Sequence, residues 1–123
     1  MPNQVQNPNP QKKYDLQERT GRFGETIIGF VYGLPENPVN KPLISQLVRS
    51  ASSVGANYME ADGASSKKDF LNKISLCNKE AKETMHWLRM IAVANPSKKE
   101  ICRNLWIEAH ELSLIFSTIA KNK

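Results

Sequence analysis

The chain of 123 residues has only two cysteines, Cys77 and Cys102, far apart and in no C-x-x-C pair. Two isolated cysteines build neither a disulfide framework nor a thiolate zinc site, and they read as free thiols of a reducing compartment. No apolar run approaches the length of a membrane span or a signal-peptide core. The expectation is therefore a cytoplasmic protein without membrane contact. Aromatic residues are few, at 7% against 40% hydrophobic residues overall, which suits a core of mostly aliphatic side chains. No segment reads as a strand, because none alternates apolar and polar residues over a sustained run.

Catalytic signatures are missing as well. The serines of "SSVGA" (residues 52–56) lack the G-x-S-x-G pattern of a nucleophile elbow and its strand–turn–helix context. "ETMH" supplies one Glu-x-x-His pair, Glu83 and His86, but a carboxylate di-metal bundle needs two. In "IEAH", Ile107 occupies the glutamate position before His110. His86 also falls roughly 165° from the apolar seam of its own helix at 100° per residue, so it faces outward. These absences predict no enzymatic activity, no metal and no cofactor.

What the chain does contain is helical periodicity. "MPNQVQNPNPQKK" (residues 1–13) has almost nothing to bury and reads as a disordered lead-in. Asp15 with Glu18 forms a capping-box pattern, after which Leu16, Thr20, Phe23, Ile27, Val31 and Leu34 recur at helical spacing. Gly21, Gly24, Gly29 and Gly33 along this helix suggest close packing. "PENPVNKP" (residues 35–42) is a connector.

A second helix should start near Asn40 or Lys41 and run to about Ala61. Leu43, Leu47, Val54, Tyr58 and Ala61 form one apolar line, and Ile44, Val48, Ala51, Gly55 and Met59 form another. Together they cover roughly 160° of the helix, wider than one small core requires. Small residues in "RSASSVGANYMEAD" (residues 49–62) then let neighbouring backbones come close. Gly63 is the expected C-cap.

Ser66 with Asp69 caps a third helix to about Ala94, with Phe70, Ile74, Cys77, Ala81, Thr84, Leu88 and Ile91 as its seam. Ser97 with Glu100 suggests a capping box for the last helix, which continues to about Lys121 on Ile101, Leu105, Ala109, Leu112, Phe116 and Ile119. Four amphipathic helices with short connectors predict an all-α, antiparallel up-and-down four-helix bundle over residues 14–123.

Two surfaces remain. The chain carries 17 Lys and Arg against 12 Asp and Glu, a net charge of +5 that favours an anionic partner. Lys68, Lys79, Lys82 and Arg89 fall within roughly 80° on the outer side of the third helix, with Lys67, Lys98 and Lys99 at its ends. This stripe is the candidate site for phosphates of RNA or DNA. No interleaved aromatic set accompanies it in the sequence, so base-specific readout is not expected. Gly55, Met59, Trp106, Ile107 and Leu114 are the candidate contact residues for self-association, since Ile107 and Leu114 point away from the seam of the fourth helix. The competing expectation is a pure assembly module that docks a protein partner, with its charge only conferring solubility.

The blocks "PLISQLVRSASSVGANYMEAD", "SKKDFLNKI", "CNKEAKETMHWLRM" and "LWIEAHELSLIF" resemble the small bacterial four-helix-bundle proteins encoded in intervening sequences of large-subunit ribosomal RNA genes. The resemblance covers about residues 14–120 and places Arg49, Ser53, Asn57, Glu60, Lys68, Phe70, Glu80 and Leu88 on the family's recurrent pattern. It implies an up-and-down bundle that assembles into homopentamers. It also implies likeness to the accessory variability protein of diversity-generating retroelements, which binds nucleic acid. Met59 stands where relatives commonly carry a basic residue, which weakens a phosphate role for the second helix.

Overall fold

Asp15 opens the first helix: its carboxylate accepts a hydrogen bond from the Glu18 N–H at 3.3 Å, as the capping pattern predicts. The structure, a computed structural model, describes residues 15–121, and the lead-in expected over residues 1–13 lies outside the described residues. Four α-helices follow, α1 (Leu16–Val31), α2 (Asn40–Asp62), α3 (Lys67–Ala94) and α4 (Lys99–Lys121), with a short 3-10 turn at Pro96–Lys98. No strand occurs among the described residues. The Ser66 hydroxyl accepts from the Asp69 N–H at 3.0 Å and caps α3. Gly63 ends α2 as expected, at a φ of −102° that any residue can adopt.

Hydrogen bonds between helices establish their directions. Between α2 and α3, Asn40 meets Asn95, Ser50 meets Thr84, and the Cys77 thiol donates to the Val54 carbonyl. One number rises as the other falls, so the two helices are antiparallel. Between α3 and α4, Asn78 donates to the Ser117 hydroxyl at 3.1 Å and accepts from Ser113 at 2.7 Å. Helix α3 packs along both α2 and α4, and runs antiparallel to α4 because only the short Asn95–Lys98 segment joins these two packed helices, while α1 packs along α2. Helix α1 touches α4 sparingly, and an ion-pair cluster spans that gap: Arg19 donates to both carboxylate oxygens of Glu108 at 2.8 and 2.9 Å and to Glu111 at 2.9 Å.

The core is the aliphatic one expected from composition. Ile74, Cys77, Ala81, Thr84, Leu88 and Ile91 of α3 are fully buried, as the seam spacing predicts, with Phe70 half-buried at its start. Tyr58 of α2 and Phe116 of α4 meet across this core with ring centroids 6.4 Å apart.

Three expectations change. Ile101 is 45% exposed and Cys102 holds the core position instead. The chain enters α4 through the 3-10 turn with Ser97 inside it rather than at a cap, and the buried line runs Cys102, Leu105, Ala109, Leu112, Phe116. The width of the α2 face is largely used inside the chain, because α2 lies between α1 and α3. Ala51 is fully buried, and a Cβ on Gly24 of α1 would lie 3.7–3.8 Å from the Ser52 and Ala51 backbone. Of the three glycines in α1, Gly24 alone makes such an interhelical approach, since Gly21 and Gly29 face open space; Gly33 lies beyond the end of the helix.

Candidate nucleic-acid interface

Ion pairing sorts the charges of this surface. Arg49 of α2 bonds Glu83 and reaches Glu80 at 3.4 Å on α3. Lys73 bonds Glu60 at 2.8 Å, Arg22 bonds Glu18 at 2.7 Å along α1, and Arg19 holds Glu108 and Glu111. The acidic flank of α3 is thus turned inward along the α2 seam. Hydrogen bonding and charge from Arg49 hold the Glu83 carboxyl below its ordinary range. Burial pushes Glu80 up, reinforced by its bond to Glu83 and opposed by Arg49. The "ETMH" glutamate is therefore engaged by an arginine, and His86 is exposed, with its ring edge-on to Trp87 at 4.8 Å. No cluster of three or more His, Cys, Asp or Glu suited to a metal occurs among the described residues.

The cations of the candidate stripe are placed differently. Lys68, Lys79, Lys82 and Arg89 are all exposed, on one line of α3 with Asn72, Ser75, His86 and Val93. That line contains no acidic residue and extends about 30 Å between Lys68 and Arg89 at helical rise. None of the four joins an ion pair among the described residues. Lys67 is exposed at the start of α3; Lys98, half-buried in the 3-10 turn, and exposed Lys99 lie beyond its other end. The seven residues are thus a four-residue stripe with one further lysine at its start and two beyond its other end. Such a surface can follow a polyanion by through-space attraction and direct phosphate contact.

The proposed contact residues separate into two groups. Ile107 and Leu114 are 44% and 53% exposed on the outer face of α4, and Met59 is 59% exposed at the end of α2. Gly55 is turned toward α1, where an added Cβ would meet Thr20 at 3.4–3.5 Å. Its lack of a side chain is explained within one chain. Trp106 is half-buried and stacks on His110, with centroids 5.1 Å apart and planes 26° from parallel.

Several shaping residues escaped the sequence reading. Asn40 and Asn95, both buried, exchange a pair of amide hydrogen bonds at 2.9 Å, and Asn40 also donates to the Pro35 carbonyl. "PVN" and "ANP" looked like ordinary connector composition; nothing local signals that the two asparagines meet. Arg49 and Glu80 belonged to the recurrent pattern of the resemblance, and the structure gives that pair a role in joining α2 to α3.

No helix among the described residues is long and apolar enough to cross a membrane. A comparison with curated proteins gives no match. Among solved structures, a protein of unknown function from the S23 ribosomal protein family of Bacteroides thetaiotaomicron VPI-5482 superposes with a TM-score of 0.75 at 28% identity. The match covers 85% of this chain and 97% of that one. The family model described as 23S rRNA-intervening sequence protein matches residues 12–118, nearly the whole helical region. With the bundle and that match together, the chain belongs to the 23S rRNA-intervening sequence protein family.

Proposed function

We propose that this protein is a non-enzymatic, self-associating four-helix bundle that binds nucleic acid without sequence preference through the outer face of α3. The supporting observation is the partition of charge. Six glutamates are taken up in ion pairs with Arg19, Arg22, Arg49 and Lys73, while the exposed α3 line keeps four cations and no acid. Phosphate contacts from such a line release counterions and depend little on base identity. The family's description names a ribosomal RNA sequence, which makes RNA the first ligand to test.

Binding measured against salt is the direct experiment. The logarithm of affinity should fall linearly with the logarithm of salt concentration. Lys79→Glu with Lys82→Glu should flatten that slope by about 1.5–2 for a duplex and weaken all sequences alike. Absence of binding by the native chain at low salt would sink this reading. The second reading, an assembly module that docks a protein, is favoured by the exposed Ile107 and Leu114 on α4. Self-association is common to both, and five is the subunit number that the resemblance implies.

A further inference from the structure

We propose that the Trp106–His110 stack on α4, with Lys82 and Arg89 across the α3–α4 seam, is a stacking site for an unpaired nucleobase of a single-stranded nucleic acid. This inference rests on the phosphate-binding reading above and adds the strandedness of the ligand.

The location follows from register. Ser113 and Ser117 of α4 both bond Asn78 of α3. Trp106, His110, Ser113 and Ser117 are spaced 4-3-4 and share one side of α4, the side that meets α3. On α3, Asn78, Lys82, Met85 and Arg89 repeat the same 4-3-4 spacing. Because the helices are antiparallel, stepping from Ser113 back to Trp106 runs alongside stepping from Asn78 forward to Arg89. His110 then lies level with Lys82 and Met85, and Trp106 level with Met85 and Arg89. Lys82 and Arg89 are exposed, and neither is ion-paired among the described residues.

The chemistry of the four side chains matches one ligand class. Two near-parallel rings that are only half-buried keep aromatic surface available beside the seam. A purine or pyrimidine ring extends such a stack whatever its identity, while the phosphates on either side of it meet the two cations. A base inside a duplex has both faces covered by its neighbours and cannot enter. The outward line of α3 carries no Phe, Tyr or Trp, and the indole of this site comes from the adjacent helix.

The test uses the full chain with a short single strand of deoxythymidine, the same strand made abasic, and a duplex. Indole fluorescence is read on a Trp87→Phe background, a change that removes an indole N–H buried without an acceptor. The thymidine strand should quench Trp106 and bind more tightly than the abasic strand. Trp106→Leu should weaken thymidine binding by roughly tenfold, within the range for one stacked base, and leave abasic binding unchanged. His110→Ala, which removes the smaller of the two half-buried rings, should reproduce the effect where Trp106→Leu perturbs folding. Equal affinity for thymidine and abasic strands overturns the stacking site while leaving phosphate binding intact. If no strand binds at low salt, phosphate binding itself fails and the stacking site falls with it.

Discussion

Asn40 and Asn95 show how a single buried polar pair ties the start of α2 to the end of α3. Each amide donates to the other's carbonyl at 2.9 Å, and Asn95 also donates to the Ile91 carbonyl at the end of α3. Removing one partner leaves the carbonyl oxygen of the other buried without a donor, which costs about 1–3 kcal/mol. Asn40→Ala should therefore destabilise by about that amount in urea unfolding. Asn40→Ala with Asn95→Ala should cost less than the two single losses added together, because no amide is then left unpaired. At the same scale, burial pushes the Cys77 thiol up to about 12, consistent with a core role for that side chain.

At the scale of elements, the α1–α2 and α2–α3 contacts are held by different physics. Helix α1 sits close to α2 because Gly24 and Gly55 present backbone at the crossing. A Cβ at Gly55 would meet Thr20 at 3.4–3.5 Å, a contact near ordinary van der Waals distance. Gly55→Ala should accordingly be near neutral in melting temperature, its helix propensity offsetting the tight fit. Gly55→Leu should destabilise by about 1–3 kcal/mol by overfilling that contact.

Along the other seam, Arg49 bridges to Glu80 and Glu83. Glu83 is held below its ordinary range, so its share of stability is present above the unfolded carboxylate pKa and fades as pH falls through the lowered value. Glu80 is shifted up, so it works the opposite way, and Arg49 offsets that cost at neutral pH. Arg49→Ala should then lose up to about 1 kcal/mol at neutral pH, since the pair is partly solvated. Unfolding curves of variant and native chain should converge in acid, where both glutamates are protonated; a constant difference across pH would contradict the ion-pair account.

For the whole molecule, the ion pairs neutralise the seams and leave basic and apolar surface outside. The basic surface is the outer line of α3, and the exposed apolar side chains include Ile107 and Leu114 on α4 and Met59 on α2. If self-association uses α4, Ile107→Glu with Leu114→Glu should release folded monomers, read as a fall to one-chain mass by light scattering with helical circular dichroism retained. A monomeric native chain of 13.9 kDa at micromolar concentration would contradict self-association.

The helices, their order and the seam of α3 were legible from the sequence, because 3.6-residue periodicity and capping residues are local signals. Asp15 and Ser66 cap as their spacing predicts, and six of the seven α3 seam positions are fully buried. The outward line of lysines followed from the same periodicity. What the tertiary structure alone decided depends on which helix lies beside which. It turned the wide face of α2 into a seat for α1 and put Cys102 in the place expected for Ile101. It joined Asn40 to Asn95 across 55 positions of sequence, gave Glu80 and Glu83 of α3 to Arg49, and stacked Trp106 on His110 on a helix whose Ser113 and Ser117 bond Asn78 of α3. Periodicity specifies which face of a helix is buried, whereas partners across a seam are chosen by register and packing between segments distant in the chain.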